Sequence, residues 1–264
     1  DRSPSRGLGD VYKRQHARSC EARELSATAA QLAAAALGPV HPLTRAAREQ
    51  LIELLRDAGA MGAALDAAGA AAREVAQQLG LAHGEALRAA YAYAVLLREA
   101  GDPLEAEAQC AGAIEPCARA LGEGDELTLA FAHELGLNLA ARVEWAEAER
   151  WLRRALRGRE RALGPGDVET LRSVSALASV LREQGKDAEA EQLYRRAIVA
   201  RARRLSLESE SGLEAVAGAS ISARGLQDAA RSLEAALAEG QSATHAHAVL
   251  TRVLHELEVP AAAK

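Results

Sequence analysis

Apolar and polar residues follow one another with the three- and four-residue spacing of amphipathic helices, and these helical runs end at regular intervals. A leucine marks the end of a run every 42 residues, at Leu37, Leu79, Leu121, Leu163 and Leu205. Glycine follows this leucine in the first four units, whereas Ser206 follows it in the fifth. Because glycine readily takes the left-handed conformation that ends a helix, each Leu-Gly pair predicts a helix stop.

A second break divides each unit, so each unit is predicted to be a pair of helices. The breaks fall at Gly59, Gly101, Val143 and Gly185. In the fifth unit Gly225 follows the previous break by 40 residues, so that unit has lost two residues.

The short polar loop before each first helix contains residues that can cap the helix. Threonine is the predicted N-cap in three loops, at Thr44, Thr128 and Thr170. A second aligned position is interpreted as a loop and capping position, and it holds His41, His83, Asp125 and Asp167.

The second helix of each unit carries alanine at two positions seven residues apart, which lie on one helix face. The first position holds Ala64, Ala106, Ala148 and Ala190, and the second holds Ala71, Ala113, Ala155 and Ala197. Small side chains on one face allow a neighbouring helix to pack closely. A spacing repeated in successive units therefore predicts an all-α fold of stacked helix pairs.

Composition supports this fold and argues against two classes of partner. Hydrophobic residues make up 49% of the chain but aromatic residues only 3%. The net charge of −5, with mixed signs along the chain, lacks the basic stripe of a nucleic-acid-binding protein. No apolar run approaches the roughly 20 residues of a membrane span. Cys20, Cys110 and Cys117 form no CxxC motif and are interpreted as small packing residues.

The pattern resembles tetratricopeptide repeats, particularly the 42-residue kinesin-light-chain type, and the segment 163–198 carries the best match: LGPGDVETLRSVSALASVLREQGKDAEAEQLYRRAI. The resemblance implies an α-solenoid, a right-handed superhelix of antiparallel helix pairs. It also implies a scaffold that binds a peptide or partner protein in its concave groove. We expect the five repeats to span 37–240, preceded by the second helix of a truncated repeat at 16–36.

Both ends of the chain depart from the repeat. Residues 1–15 resemble a translated sequencing adapter, as met in metagenomic reading frames, and are expected to be a non-native leader. Residues 241–264 are predicted to form a capping helix and tail, with Leu250, Val253, Leu254 and Leu257 on its apolar face.

Motifs for catalysis, cofactors or metals are missing from the sequence, so we expect no enzyme activity, no cofactor and no metal site. No GxxxxGK[ST] phosphate loop and no GxSxG nucleophile elbow occur. His133-Glu134 and His255-Glu256 begin an HExxH zinc motif, but neither has the second histidine. His245, His247 and His255 lack the spacing of ligands on one helix face.

Carrying the family's groove positions onto this chain gives seven expected partner-binding residues: Arg56, Arg88, Tyr91, Arg98, His133, Arg172 and Arg182. Tyr91 and His133 would anchor a peptide, and the arginines would reach its carboxylates. The same arginines could instead stabilise helix ends. The Asn-Asn pair common in the family's first helix is replaced by Glu49-Gln50, Tyr91-Ala92, His133-Glu134 and Ser175-Ala176, so family ligands are not inherited.

An alternative function is open at this point. Bacterial arrays of this type are often fused to a Ser/Thr kinase or a nucleotide-dependent regulator, so the chain could be the regulatory arm of a larger signalling enzyme whose catalytic part lies upstream. A cytoplasmic location is expected in either case, and the sequence does not predict an oligomeric state.

Overall fold

A computed structural model describes residues 22–204 and residue 231, and every regular element in that part of the chain is an α-helix. We number the helices α1 to α9, beginning with α1 at 22–37. The others are α2 (Pro42–Asp57), α3 (Met61–Leu79), α4 (Gly84–Glu99), α5 (Pro103–Leu121), α6 (Glu126–Ala141), α7 (Trp145–Ala162), α8 (Val168–Glu183) and α9 (Asp187–Arg204). The all-α prediction is confirmed.

The chain divides into two compact units, at 1–122 and 123–264. In the first unit α2 packs on α3, α3 on α4 and α4 on α5; in the second, α6, α7, α8 and α9 pack in the same order. Connections of a few residues join successive helices and make neighbours antiparallel. We call α2, α4, α6 and α8 the first helices, and α3, α5, α7 and α9 the second helices.

Glycines end the helices as the sequence predicts. Positive φ angles between 71° and 107° occur at Gly38, Gly59, Gly80, Gly101, Gly122, Gly164 and Gly185. A side chain in this left-handed region is strained, whereas glycine is not, so the predicted glycine breaks that lie within residues 22–204 are confirmed.

Val143 occupies the break where the other units have glycine, and it has a φ of 67°. Its side chain is 65% exposed and so gains little from packing. A β-branched residue in this conformation costs roughly 1–2 kcal/mol.

We expect Val143→Gly to stabilise the protein by roughly 0.5–1 kcal/mol, because relief of strain outweighs the extra freedom of glycine in the unfolded chain. Urea denaturation followed by circular dichroism measures the change. The matched control is Gly101→Val, which introduces the same strain and should lower stability. A lower denaturation midpoint for Val143→Gly would contradict the prediction.

The helix starts differ from the threonine prediction, which was wrong. Helices α2, α6 and α8 begin before the threonines, and the threonine side chains are buried in the first turn. Thr44 donates its hydroxyl to the carbonyl of Gly38 at 2.8 Å. The caps are the aligned histidines and aspartates, each accepting a backbone N–H two residues on: His41, His83, Asp125 and Asp167. Their capping role is confirmed.

Small residues let the helices approach closely. Ala64, Ala106, Ala148 and Ala190 are fully buried. On the facing helix α6, a β-carbon added to Gly136 would lie 2.6 Å from Cγ of Leu152 in α7. Cys110 and Cys117 are also fully buried, which confirms their interpretation as packing residues.

Several sequence predictions lie outside the described residues. They are the leader at 1–15, Cys20, the helix residues before 22, the fifth repeat from 205 onwards, and the capping helix with its three histidines.

Candidate functional site

The main candidate site is a cleft of about 350 Å3 in the first unit, between the first helices α2 and α4 and above the second helix α3. We call it the α2–α4 cleft. Its apolar lining consists of Pro39, Val40, Ile52, Ala68, Ala71, Val75, Ala89 and Ala92. Its charged lining consists of Arg45, Arg48, Glu49, Glu85 and Arg88.

Helical spacing brings these side chains together. Arg45, Arg48 and Ile52 lie three and four residues apart, and therefore on one face of α2. Glu85, Arg88 and Ala92 follow the same spacing on α4. The result is an apolar floor with charged side chains at its rim, as in many peptide and ligand sites.

Ion pairs hold the rim of the cleft. Glu85 accepts from Arg45 of α2 at 3.0 Å and from Arg88 of its own helix at 2.7 Å. These pairs are partly exposed, so each contributes at most about 1 kcal/mol. They orient the two arginines more than they stabilise the fold.

Arg48 is the most enclosed charge at the cleft, with 17% of its side chain exposed. Its Nη2 pairs with Glu74 of α3. Its Nη1 is buried and has no hydrogen-bond partner among the described residues. A buried donor without an acceptor costs roughly 1–3 kcal/mol, so this atom requires an explanation.

Four of the seven predicted site residues lie in the first unit, and one of them, Arg88, lines the cleft. Arg56 pairs with Glu99 across α2 and α4 at 2.9 Å. Tyr91 and Arg98 of α4 are half-buried. Sequence reasoning missed Arg45, Arg48 and Ile52, although their spacing on α2 could have identified them.

The other three predicted site residues lie in the second unit and in different environments. Arg172 is exposed and pairs with Glu169 at 2.9 Å. Arg182 pairs with its neighbour Glu183. His133 is only 7% exposed, and its Nδ1 lies 3.3 Å from the hydroxyl of Ser173. Little of the His133 ring is therefore accessible to a partner.

His133 belongs to a buried polar network that the sequence did not reveal. At its centre is Arg159 of α7, with 2% of its side chain exposed. Arg159 donates to the hydroxyl of Ser173 at 2.8 Å and to the carbonyl of Glu169 at 2.9 Å, and it pairs with the Glu169 carboxylate at 3.2 Å. The network joins α6, α7 and α8.

Three pKa shifts accompany the packing of second helices. Burial raises the pKa of Glu149, but hydrogen bonds from Lys186, Arg153 and Gln184 outweigh it, so the net pKa is lowered. The hydrogen bond to Glu189 raises the pKa of Arg153. Burial raises the pKa of the Tyr194 phenol. All three groups therefore keep their usual charge at neutral pH.

The described residues contain neither a cluster suited to a metal ion nor a membrane-spanning helix. Within 22–204 no three histidine, cysteine, aspartate or glutamate side chains are grouped closely enough to hold a metal ion. In the same range no helix is both long and apolar enough to cross a bilayer.

Comparisons with known proteins identify the repeat. Residues 127–201 match the family model described as Tetratricopeptide repeat. No curated protein matches the chain. Residues 127–201 are therefore tetratricopeptide repeats, and the predicted resemblance is confirmed.

Solved structures share the fold. Two crystal structures contain the nearly identical TPR-like repeats of a proposed kinesin light chain of Podosopora anserina, one of them a single-substitution variant. The variant is 22% identical with a TM-score of 0.59 and covers 75% of this chain and 95% of its own. The other is 22% identical with a TM-score of 0.57 and covers 77% and 99%. BtubC (BKLC) from P. vanneervenii is 16% identical with a TM-score of 0.62 and covers 96% and 95%. These similarities confirm the tetratricopeptide-type solenoid.

Proposed function

We propose that this protein is an interaction scaffold without chemistry of its own, and that it binds a peptide segment of a partner protein in the α2–α4 cleft. Tetratricopeptide repeats generally bind proteins or peptides. Two observations support the choice of this cleft and of a peptide ligand: the residues that line the cleft, and a buried donor atom of Arg48 that has no acceptor among the described residues.

The strongest support for the proposal is the unsatisfied hydrogen-bonding capacity of the Arg48 Nη1 atom. This atom is a buried donor that lacks an acceptor among the described residues and belongs to a side chain lining an open cleft. A peptide carbonyl or carboxylate entering the cleft can supply that acceptor after a small rotation of the guanidinium. Arginine is well suited to this, because its planar group binds carboxylates through two parallel hydrogen bonds.

The apolar floor of the cleft indicates which ligand side chain would fit beside that polar contact. Ile52, Val75 and the small side chains around them favour an apolar ligand side chain, which loses water on entering. A volume of about 350 Å3 accommodates one or two such side chains rather than a whole protein surface. The ligand is therefore a peptide with an apolar residue beside a carboxylate or carbonyl.

The predicted site residues are proposed as further polar contacts on the first helices of each unit. Arg56, Arg88, Tyr91 and Arg98 belong to the unit that holds the α2–α4 cleft, and Arg172 and Arg182 lie on α8 of the second unit. His133 is proposed to act indirectly, because its buried ring positions α6 against Ser173 of α8 rather than facing a partner.

The proposal is tested with Ile52→Arg, which places a long charged side chain on the apolar floor. A random 12-residue phage-displayed library is selected on the immobilised chain, and the enriched sequences are synthesised with a fluorescent label. We expect Ile52→Arg to lower the affinity of at least some of these peptides by tenfold or more, as measured by fluorescence anisotropy. The reason is that the new side chain fills the space of the apolar anchor.

Arg150→Ala is the matched control, since Arg150 is an exposed arginine of the second unit and does not line the cleft. It should leave peptide affinity unchanged. Peptides that bind wild-type protein and Ile52→Arg equally well would show that the cleft is not the binding site.

A further inference from the structure

The fixed charges at the α2–α4 cleft are balanced. Five charged side chains line the cleft: Arg45, Arg48, Glu49, Glu85 and Arg88. Glu74 of α3 is not part of the lining, but its carboxylate pairs with Arg48. Three guanidinium groups are thus matched by three carboxylates. The charge of the cleft therefore does not favour an anionic ligand over a neutral one.

Two of the three arginines share one carboxylate. Oε2 of Glu85 accepts from Nη1 of Arg45 at 3.0 Å, and Oε1 accepts from Nη1 of Arg88 at 2.7 Å. A ligand carboxylate that approached either arginine would also come close to Glu85. Repulsion between the two carboxylates would then offset the attraction to the arginine.

Arg48 offers one buried donor to a ligand. Glu74 pairs with its Nη2, whereas its buried Nη1 has no acceptor among the described residues. A carboxylate binds a guanidinium best through two parallel hydrogen bonds from adjacent donors, and the donor beside Nη1 in that arrangement is Nη2. Since Glu74 already holds Nη2, Nη1 matches a ligand group that supplies a single acceptor.

The cost of leaving water separates an amide carbonyl from a carboxylate at this position. Only 17% of the Arg48 side chain is exposed, and Nη1 itself is buried, so a group that bonds to it must lose its own water. An amide carbonyl recovers its hydrogen bond on entering. A carboxylate also needs a counter-charge, and the charge of Arg48 is already balanced by Glu74. The amide carbonyl is therefore the acceptor that costs less to bury.

On the basis of the function proposed above, we propose that Arg48 binds the uncharged carbonyl oxygen of an amide in the partner peptide. The amide is a peptide bond next to the apolar anchor, or the side chain of a neighbouring asparagine or glutamine. The cleft thus selects an uncharged internal segment of the partner over an acidic segment or a free C-terminus.

The test uses the library peptides that Ile52→Arg weakens, because these peptides occupy the cleft. Alanine scanning of each peptide identifies its apolar anchor. The two residues beside the anchor are then made both asparagine or both aspartate, which have the same shape but differ in charge. We expect the asparagine form to bind the wild-type chain at least about threefold more tightly in fluorescence anisotropy, because the aspartate form brings an unbalanced charge to the cleft.

Glu74→Gln is the reciprocal variant, since it removes the carboxylate that balances Arg48 and keeps a similar shape. It should shift the ratio of the two affinities toward the aspartate form by about threefold or more. Glu115→Gln is the matched control, because Glu115 is 81% exposed on α5 of the same unit and does not line the cleft. The control should leave the ratio unchanged.

Two further changes to the peptide identify the source of the carbonyl. Replacing the peptide bonds beside the anchor by esters, whose carbonyls are weaker acceptors, should lower the affinity if the backbone supplies the carbonyl. Replacing the neighbouring asparagines by alanine should lower the affinity if a side chain supplies it.

The outcomes separate a wrong ligand group from a wrong binding site. The amide assignment is overturned, with the proposed function intact, if the aspartate forms bind the wild-type chain as tightly as the asparagine forms or more tightly. It is also overturned if Glu74→Gln leaves the ratio unchanged, or if neither the esters nor the alanines lower the affinity. If Ile52→Arg weakens none of the selected peptides, the cleft is not the binding site, and the proposed function fails together with the assignment.

Discussion

Replacing Arg159 by methionine should destabilise the protein by about 1–3 kcal/mol, because it removes a buried guanidinium and leaves the acceptors that face it without their donor. Arg159 is 2% exposed and supplies donors to Ser173 and to both the carbonyl and the carboxylate of Glu169. Methionine has a similar length, so the change tests the polar contacts more than the loss of volume. The urea denaturation midpoint measures the effect.

Two further variants make this result interpretable. Arg161→Met removes an exposed arginine two residues along the same helix and should change stability by less than about 0.5 kcal/mol. Arg159→Met combined with Ser173→Ala should recover part of the loss, since one of the orphaned acceptors is then gone. If Arg159→Met were as stable as Arg161→Met, the network would contribute nothing to folding.

Replacing Ala148 by leucine should also destabilise strongly, by about 1–3 kcal/mol, because it overfills the contact between α6 and α7. The side chain of Ala148 is fully buried, and its backbone carbonyl lies 3.3 Å from the position of a β-carbon on Gly136. No space therefore exists for three additional carbon atoms unless the two helices separate.

Ala146→Leu provides the matched control for this second result. Ala146 is exposed on the same helix, so the same substitution there should change stability by less than about 0.5 kcal/mol. An unchanged thermal melt for Ala148→Leu would show that the assigned repeat register is wrong.

The exposure of the candidate site residues could not be predicted from the repeat pattern. Glu49, Tyr91, His133 and Ser175 occupy one position of the repeat, yet Glu49 is exposed, Tyr91 and Ser175 are half-buried, and His133 is buried. His133 is buried because Ser173 of the following first helix lies against its ring. The 42-residue spacing identified these four residues as equivalent, but it did not indicate how exposed each of them is.

Arg159 shows a signal that was present but unused. The equivalent positions one and two repeats earlier hold Cys117 and Val75, and both are buried. An arginine at a position that is apolar in neighbouring units predicts a buried charge that needs partners. The identity of those partners, Ser173 and Glu169, still required the packing of α7 on α8.

The sequence by itself determined the helix pairs, their breaks and their close contacts. Gly59 and Gly185 end helices because a left-handed residue is a local requirement, and Ala148 and Ala190 recur because each unit repeats the same close contact. Only the tertiary structure decided which side chains of different helices meet. Arg153 of α7 pairs with Glu189 of α9, 36 residues further along the chain, because α7 and α9 both pack on α8 and their long side chains reach one another.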